Sequence, residues 1–198
     1  ELQVSMLENL PPERAADVLE EMGPDDAADL LADLSPEERI KFLKLMEIED
    51  ASEVRKLLAY PEDTAGGIMT TEYVTIPLGL TVEQALAHLR QSPAAQEDEA
   101  LYYVYVGDKE QRLQGVIALR DLVLAAPDTP IQQIMEDDPI AVNPLTPQYE
   151  VARIVAKYNL LAVPVVDDNN VLQGIVTVDD AIDAIIPTAW KKRLPRFF

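Results

Sequence analysis

Two hydrophobic rhythms run along the chain, and one replaces the other near residue 60. In the first part the period is twelve. Leu7, Leu19, Leu31 and Leu43 are equivalent, as are Leu10, Met22, Leu34 and Met46, and as are Pro12, Pro24 and Pro36. Each unit reads as a short helix with proline at its first position, where the missing N–H costs nothing. Gly23 and Ser35 then stand as N-caps, and Ser35 to Glu38 (SPEE) reads as a capping box. Helices this short are unstable alone. The pattern therefore predicts a small superhelix that buries its Leu, Met and Ala face, followed by a longer acidic helix over about Asp50 to Tyr60.

Past that point the chain alternates like strands and duplicates itself over about sixty residues. Ile68–Ile76 (IMTTEYVTI) returns as Ile134–Val142 (IMEDDPIAV), and Leu80–Leu89 returns, with small shifts, as Leu145–Val155. Tyr102–Val106 matches Leu161–Val166, and Leu113–Ala125 (LQGVIALRDLVLA) matches Leu172–Ala184 (LQGIVTVDDAIDA). Each copy reads extended segment, helix, strand, turn, strand, helix, and the first copy adds a polar loop around Ser92 to Glu99. One copy is too small to bury both faces of its sheet, so the two are expected to pack as a pair. At the seam between the two rhythms, Tyr60–Pro61 ends the helical part, and Gly66 and Gly67 permit a tight turn and stand as hinge candidates.

Charge changes the picture more than length does. Thirty-six acidic residues face 16 basic ones across 198 positions, a net charge of −20. Such a surface repels nucleic acid and attracts cations. Lys191, Lys192, Arg193 and Arg196 concentrate positive charge in the last eight residues, beside Trp190 and ahead of Phe197–Phe198. A basic cluster of this kind precedes a membrane helix on its cytoplasmic side, and Trp190 fits an interfacial anchor. The chain starts on Glu1 and carries no apolar run near 18 residues, so it is expected to be a soluble fragment that stops short of a membrane span. It has no cysteine, which removes disulfides and thiolate metal sites. The single histidine, His88, lies on a predicted helix, and no nucleophile–base order or phosphate-cradling glycine loop accompanies it. An enzyme is not expected.

Asp25, Asp26 and Asp29 crowd the start of the second helical unit. The helix dipole alone favours acids there. Asp25 and Asp29 are also four apart, which puts both carboxylates on one helix face, and paired hard oxygens suit Mg²⁺ or Ca²⁺.

The duplicated part resembles the CBS domain in its tandem arrangement. The most specific residues are Gly174, Thr177 and Asp180, a Gly-x-x-Thr-x-x-Asp motif, with Gly115 and Asp121 in the first copy around an Ala118 where a hydroxyl is usual. A helical repeat running through PEDTAGGIMT into a CBS pair is similar to the cytosolic part of MgtE-type magnesium channels. The resemblance implies an α+β multidomain architecture, an all-α superhelical repeat domain followed by a tandem CBS α/β pair. Its expected divisions are 1–60 helical, 61–67 hinge, 68–130 and 131–186 the two CBS copies, and 187–198 a basic juxtamembrane linker. It implies a homodimer through the CBS helices, a transmembrane pore in the same chain beyond Phe198, and a place on the cytoplasmic side of the plasma membrane. It also implies regulatory Mg²⁺ on Asp25, Asp29, Asp180 and Asp183, with Asp179 a further candidate. Pro147, Tyr149 and Asn159 stand where the family often has acids, so fewer or weaker sites are expected. A second implied ligand is ATP or another adenine nucleotide between the copies. Asp121 would meet ribose, Arg120 phosphate and Tyr103 adenine, with Ile140, Leu160 and Pro164 as an apolar floor and Thr177 preserving the motif in the second copy.

Overall fold

The structure, a computed structural model, describes residues 2–96 and 102–186. The predicted basic cluster, Trp190 and the linker 187–198 lie outside the described residues, as does part of the predicted polar loop. Five helices come first: α1 (Leu2–Asn9), α2 (Pro12–Glu20), α3 (Pro24–Ala32), α4 (Pro36–Leu45) and α5 (Ile48–Leu57). Proline opens α2, α3 and α4, as the twelve-residue rhythm predicts. Ser35 Oγ accepts the Glu38 N–H at 3.3 Å and the Glu38 carboxylate accepts the Ser35 N–H at 3.3 Å, which completes the capping box. Leu7, Leu19, Leu31 and Leu43 are all buried. Arg39 donates to the carbonyls of Leu31 and Ala32, at 2.9 and 2.8 Å, and so satisfies acceptors that the end of α3 leaves open. The fifth helix begins two residues earlier than the sequence suggests, after Glu47, whose N–H is taken by the Glu20 carboxylate at 2.6 Å.

The duplicated part builds two sheets. In the first copy β1 (Val74–Pro77) runs parallel to β2 (Tyr103–Gly107), and β2 pairs antiparallel with β3 (Leu113–Ala118). Helices α6 (Val82–Leu89) and α7 (Leu119–Leu124) cover one face of that sheet. The second copy holds α8 (Gln148–Tyr158), β5 (Ala162–Val166), β6 (Leu172–Thr177) and α9 (Val178–Ile185), with β5 and β6 antiparallel.

The two copies exchange their edges. Strand β4 (Glu136–Asp137) opens the second copy in sequence yet pairs with β3 of the first. Reciprocally, Thr70 exchanges both backbone hydrogen bonds with Ile175 of β6, at 2.9 and 3.0 Å. The two Ile-Met segments that begin the copies in sequence therefore complete each other's sheets. This explains the motif glycines: a Cβ on Gly174 would lie 2.6 Å from the Thr70 carbonyl, and one on Gly115 would lie 2.9 Å from that of Glu136. Each glycine lets the partner copy's edge come close.

Among the described residues three apolar clusters result. One is confined to the helix-covered side of the first copy. A smaller one, with Tyr105, Leu113, Leu172 and Ile175, lies between the two sheets. The largest is continuous from the helical domain into the second copy, joining Leu31, Val54 and Leu57 to Met69, Val151 and Ala181. The helical domain is thereby docked on the second CBS copy.

Candidate functional site

The docking surface is built at the seam. The Asp63 carbonyl accepts the Gln148 N–H at 2.9 Å, Ala65 N–H donates to the Thr146 carbonyl at 2.7 Å, and Gly66 N–H to that of Pro144 at 2.8 Å. These bonds tie the segment to the loop that leads into α8. Gly66 and Gly67 are used for close approach. A Cβ would lie 2.5 Å from the Tyr60 ring at Gly66 and 2.3 Å from the Pro61 carbonyl at Gly67, and neither residue takes a positive φ.

The metal candidates lie on α3 of the helical domain and on α9 of the second copy. Asp25, in the first turn of α3, is half-buried and hydrogen-bonds through its carboxylate to the Thr70 side chain, across the domain boundary. Thr70 is itself fully buried, and its Oγ1 accepts the Glu72 N–H at 3.3 Å. Burial, with the neighbouring Asp26 charge, pushes the Asp25 carboxyl above the usual range, although backbone N–H groups and Thr70 oppose the rise. Asp29 is exposed one turn later. On α9, Asp179 is exposed, and Asp180 and Asp183 are half-buried. The Thr177 hydroxyl donates to the Asp180 carboxylate. Among the described residues no three acids or histidines come together in a metal-binding group. The donors these residues offer are hard carboxylate oxygens, the type that Mg²⁺ takes one or two at a time while keeping its waters.

The nucleotide candidates lie toward the start of β2 and its neighbours. Tyr103 begins β2, and its hydroxyl accepts the Leu161 N–H at 3.3 Å, so one side chain links both copies beside Leu160. Arg120 and Asp121 are exposed at the start of α7. Ile140 and Leu160 are half-buried, and Pro164 is buried within β5. Thr177 is fully buried and committed to Asp180. By the repeat it corresponds to Ala118 and faces the second copy's own helix start, apart from Arg120 and Asp121.

Known proteins share this arrangement. The MgtE intracellular N domain family matches residues 1–63, and the CBS domain family matches 65–128 and 131–187. The chain belongs to the CBS family and carries an MgtE N domain in front of the pair. The magnesium transporter MgtE of Thermus thermophilus is 46% identical over 141 residues, 71% of this chain and 31% of that protein. Its namesake in Bacillus subtilis is 43% identical over 147 residues, 74% of this chain and 32% of that protein. The chain thus spans about a third of the length of these curated relatives. A crystal structure of the cytosolic domain of the Mg²⁺ channel MgtE in complex with ATP superposes with a TM-score of 0.87 at 43% identity, covering 92% of this chain and 74% of that one. The soluble part of a magnesium transporter superposes at 0.88 with 44% identity, covering 92% and 71%. Both curated relatives are magnesium transporters, and both solved structures are the soluble or cytosolic part of such a protein. No helix among the described residues is long and apolar enough to cross a membrane.

The MgtE-type seam also uses side chains that pattern reading overlooks. Lys56 Nζ on α5 donates to the Gln173 carbonyl of β6 at 2.7 Å, and Thr71 Oγ1 donates to the Glu53 carboxylate at 3.0 Å. Burial lowers the Lys56 pKa, with Glu53 pulling the other way. The available signal was weak: Glu53 and Lys56 are three apart on one helix face, a spacing shared by many solvated helices.

Proposed function

We propose that this chain is the cytosolic Mg²⁺-sensing module of a magnesium channel or transporter, and that docking of its helical domain on the CBS pair holds the pore closed. The observation that carries the reading is Asp25, a carboxylate drawn into the domain boundary with its pKa raised by burial. A charged group so placed destabilises docking until a cation neutralises it. Asp25 and Asp29 on one side, and Asp180 and Asp183 with Asp179 on the other, are the residues that would hold the ion. Its contribution is charge neutralisation across a −20 chain. At low Mg²⁺ these carboxylates repel and the helical domain undocks. Because Gly66 is bonded to the second copy, the hinge at Gly66 and Gly67 is in this reading the anchored end of the joint, and the rotation falls on residues 58–61.

The pore is the transmembrane part of the same chain beyond Phe198, placing the module on the cytoplasmic side of the plasma membrane as a homodimer through its CBS helices. An adenine nucleotide, as in the ATP complex of the similar Mg²⁺ channel domain, is assigned to the cleft of Tyr103, Arg120, Asp121, Ile140, Leu160 and Pro164, with Thr177 supporting the second motif. The Tyr103–Leu161 link across the copies favours this. Small-angle scattering and thermal melts during a Mg²⁺ titration, with and without ATP, test both parts. Compaction and stabilisation at millimolar Mg²⁺, blunted in Asp25→Asn, are expected. Absence of any Mg²⁺ response would overturn the metal reading, and stabilisation by ATP alone would favour a nucleotide sensor that regulates another transporter.

A further inference from the structure

A cavity of about 440 Å³ is lined by β2 from Tyr105 onward, its near end about 7 Å along the strand from Tyr103 at ~3.3 Å per residue. Tyr73, just before β1, with Thr75 and Pro77 of β1 forms one wall, and Tyr105, Leu113 and, from the second copy, Leu172 form the others. None of the metal or nucleotide candidates lines it. Tyr73 and Tyr105 meet edge to face, with ring centroids 6.3 Å apart. The Tyr105 side chain is 1% exposed, and among the described residues its hydroxyl has no hydrogen-bond partner. A buried hydroxyl without a partner costs free energy that a matching acceptor recovers. Burial pushes this phenol up, so it remains protonated and keeps an O–H to donate.

The walls of the cavity also hold the docking surface. The Tyr73 hydroxyl donates to the Leu172 carbonyl at 3.3 Å, and Lys56 of the helical domain takes the next carbonyl, that of Gln173. Whatever packs against Tyr73 and Leu172 therefore bears on the strand that anchors α5.

We propose that this cavity binds a small, uncharged, planar heterocycle that presents a hydrogen-bond acceptor to Tyr105, and that occupancy is transmitted to the docking of the helical domain through Tyr73 and β6. The aromatic walls select a flat ring, and the volume is in the range of small-molecule sites. The rim sets Lys109 against Asp108, and the Asp108 carboxylate is already engaged by the N–H groups of Glu110 and Arg112, both at 2.9 Å. With a chain at −20, this favours a neutral ligand over an anion.

Nicotinamide, a flat neutral ring with a carbonyl acceptor, is the probe. In an NMR titration of the whole 198-residue chain, saturable shifts are expected at Tyr73, Tyr105 and Leu172 and onward at Gln173 and Lys56. Tyr105→Phe should weaken binding by about tenfold, the loss of one hydrogen bond, while its melting temperature stays level or rises because the orphaned hydroxyl is gone. Leu113→Trp, which fills the cavity, should abolish the shifts. The proposal is overturned if saturable shifts are absent from these residues, if they occur only around Arg120 and Asp121, or if Tyr105→Phe binds as tightly as the parent. None of these outcomes depends on the Mg²⁺ response, so the site and the metal reading stand or fall separately.

Discussion

At Asp25 a single carboxylate is held between two needs. Its oxygens gain a hydrogen bond with Thr70, yet burial and Asp26 disfavour the charge. Because the folded pKa lies above the unfolded value of 3.8, the stability this group contributes is full below about 3.8 and is lost as pH rises through the folded pKa. Thermal melts of the metal-free chain should therefore show Asp25→Asn gaining on the parent as pH climbs from acid to neutral. Added Mg²⁺ should narrow that gap; a pH-independent difference would contradict the account. Gly67 is constrained by geometry. A Cβ there meets the Pro61 carbonyl and the Glu62 backbone, neither of which can swing aside, whereas at Gly66 its nearest contacts are with the Tyr60 ring. Gly67→Ala should cost about 1–3 kcal/mol, the usual range for overpacking, and Gly66→Ala less, as read from denaturant midpoints. The sequence placed the two glycines in a tight turn, and the Gly67 N–H does donate to the Thr64 carbonyl at 3.0 Å. Close approach to Tyr60 and Pro61 depends on neighbours that only the folded backbone supplies.

At the scale of elements, the edge exchange makes one short segment answerable to two domains. Met69 is fully buried, packs over Gly174 and belongs to the cluster that runs from the helical domain into the second copy. Met135, its counterpart over Gly115, is half-buried against the first copy alone. Met69→Ala should thus cost about 2–5 kcal/mol and speed amide exchange at Thr70 and Ile175 together with α5. The same change at Met135 should cost less and leave α5 protected. Hydrogen-exchange mass spectrometry separates the two. The repeat itself was legible as matched strings. Which sheet each Ile-Met segment joins was not, because the strings are alike in both copies, and pairing within or across copies leaves the same pattern in sequence.

Over the whole molecule the helical domain and the CBS pair share one apolar cluster, and polar contacts such as Lys56–Gln173 and Thr71–Glu53 cross the same boundary. Lys56 is the cation the chain supplies for itself at that boundary, bonded to a carbonyl 117 residues away. Lys56→Met keeps the apolar stem but removes the donor. The Gln173 carbonyl is then left without it, at a cost of about 1–3 kcal/mol, and scattering should report a larger radius of gyration in the metal-free state. The sequence by itself determined the twelve-residue helical units, their proline starts and the capping box, because helix periodicity and capping are settled within a few residues of chain. It also determined the doubling into two CBS copies and the family, since both are carried by strings of residues. Tertiary structure alone decided that each copy completes the other's sheet, that the helical domain rests on the second copy, and that Asp25 meets Thr70 while Lys56 meets Gln173. Those contacts join residues far apart in the chain, and their energies come from desolvation and close packing, which exist only once the surfaces have met.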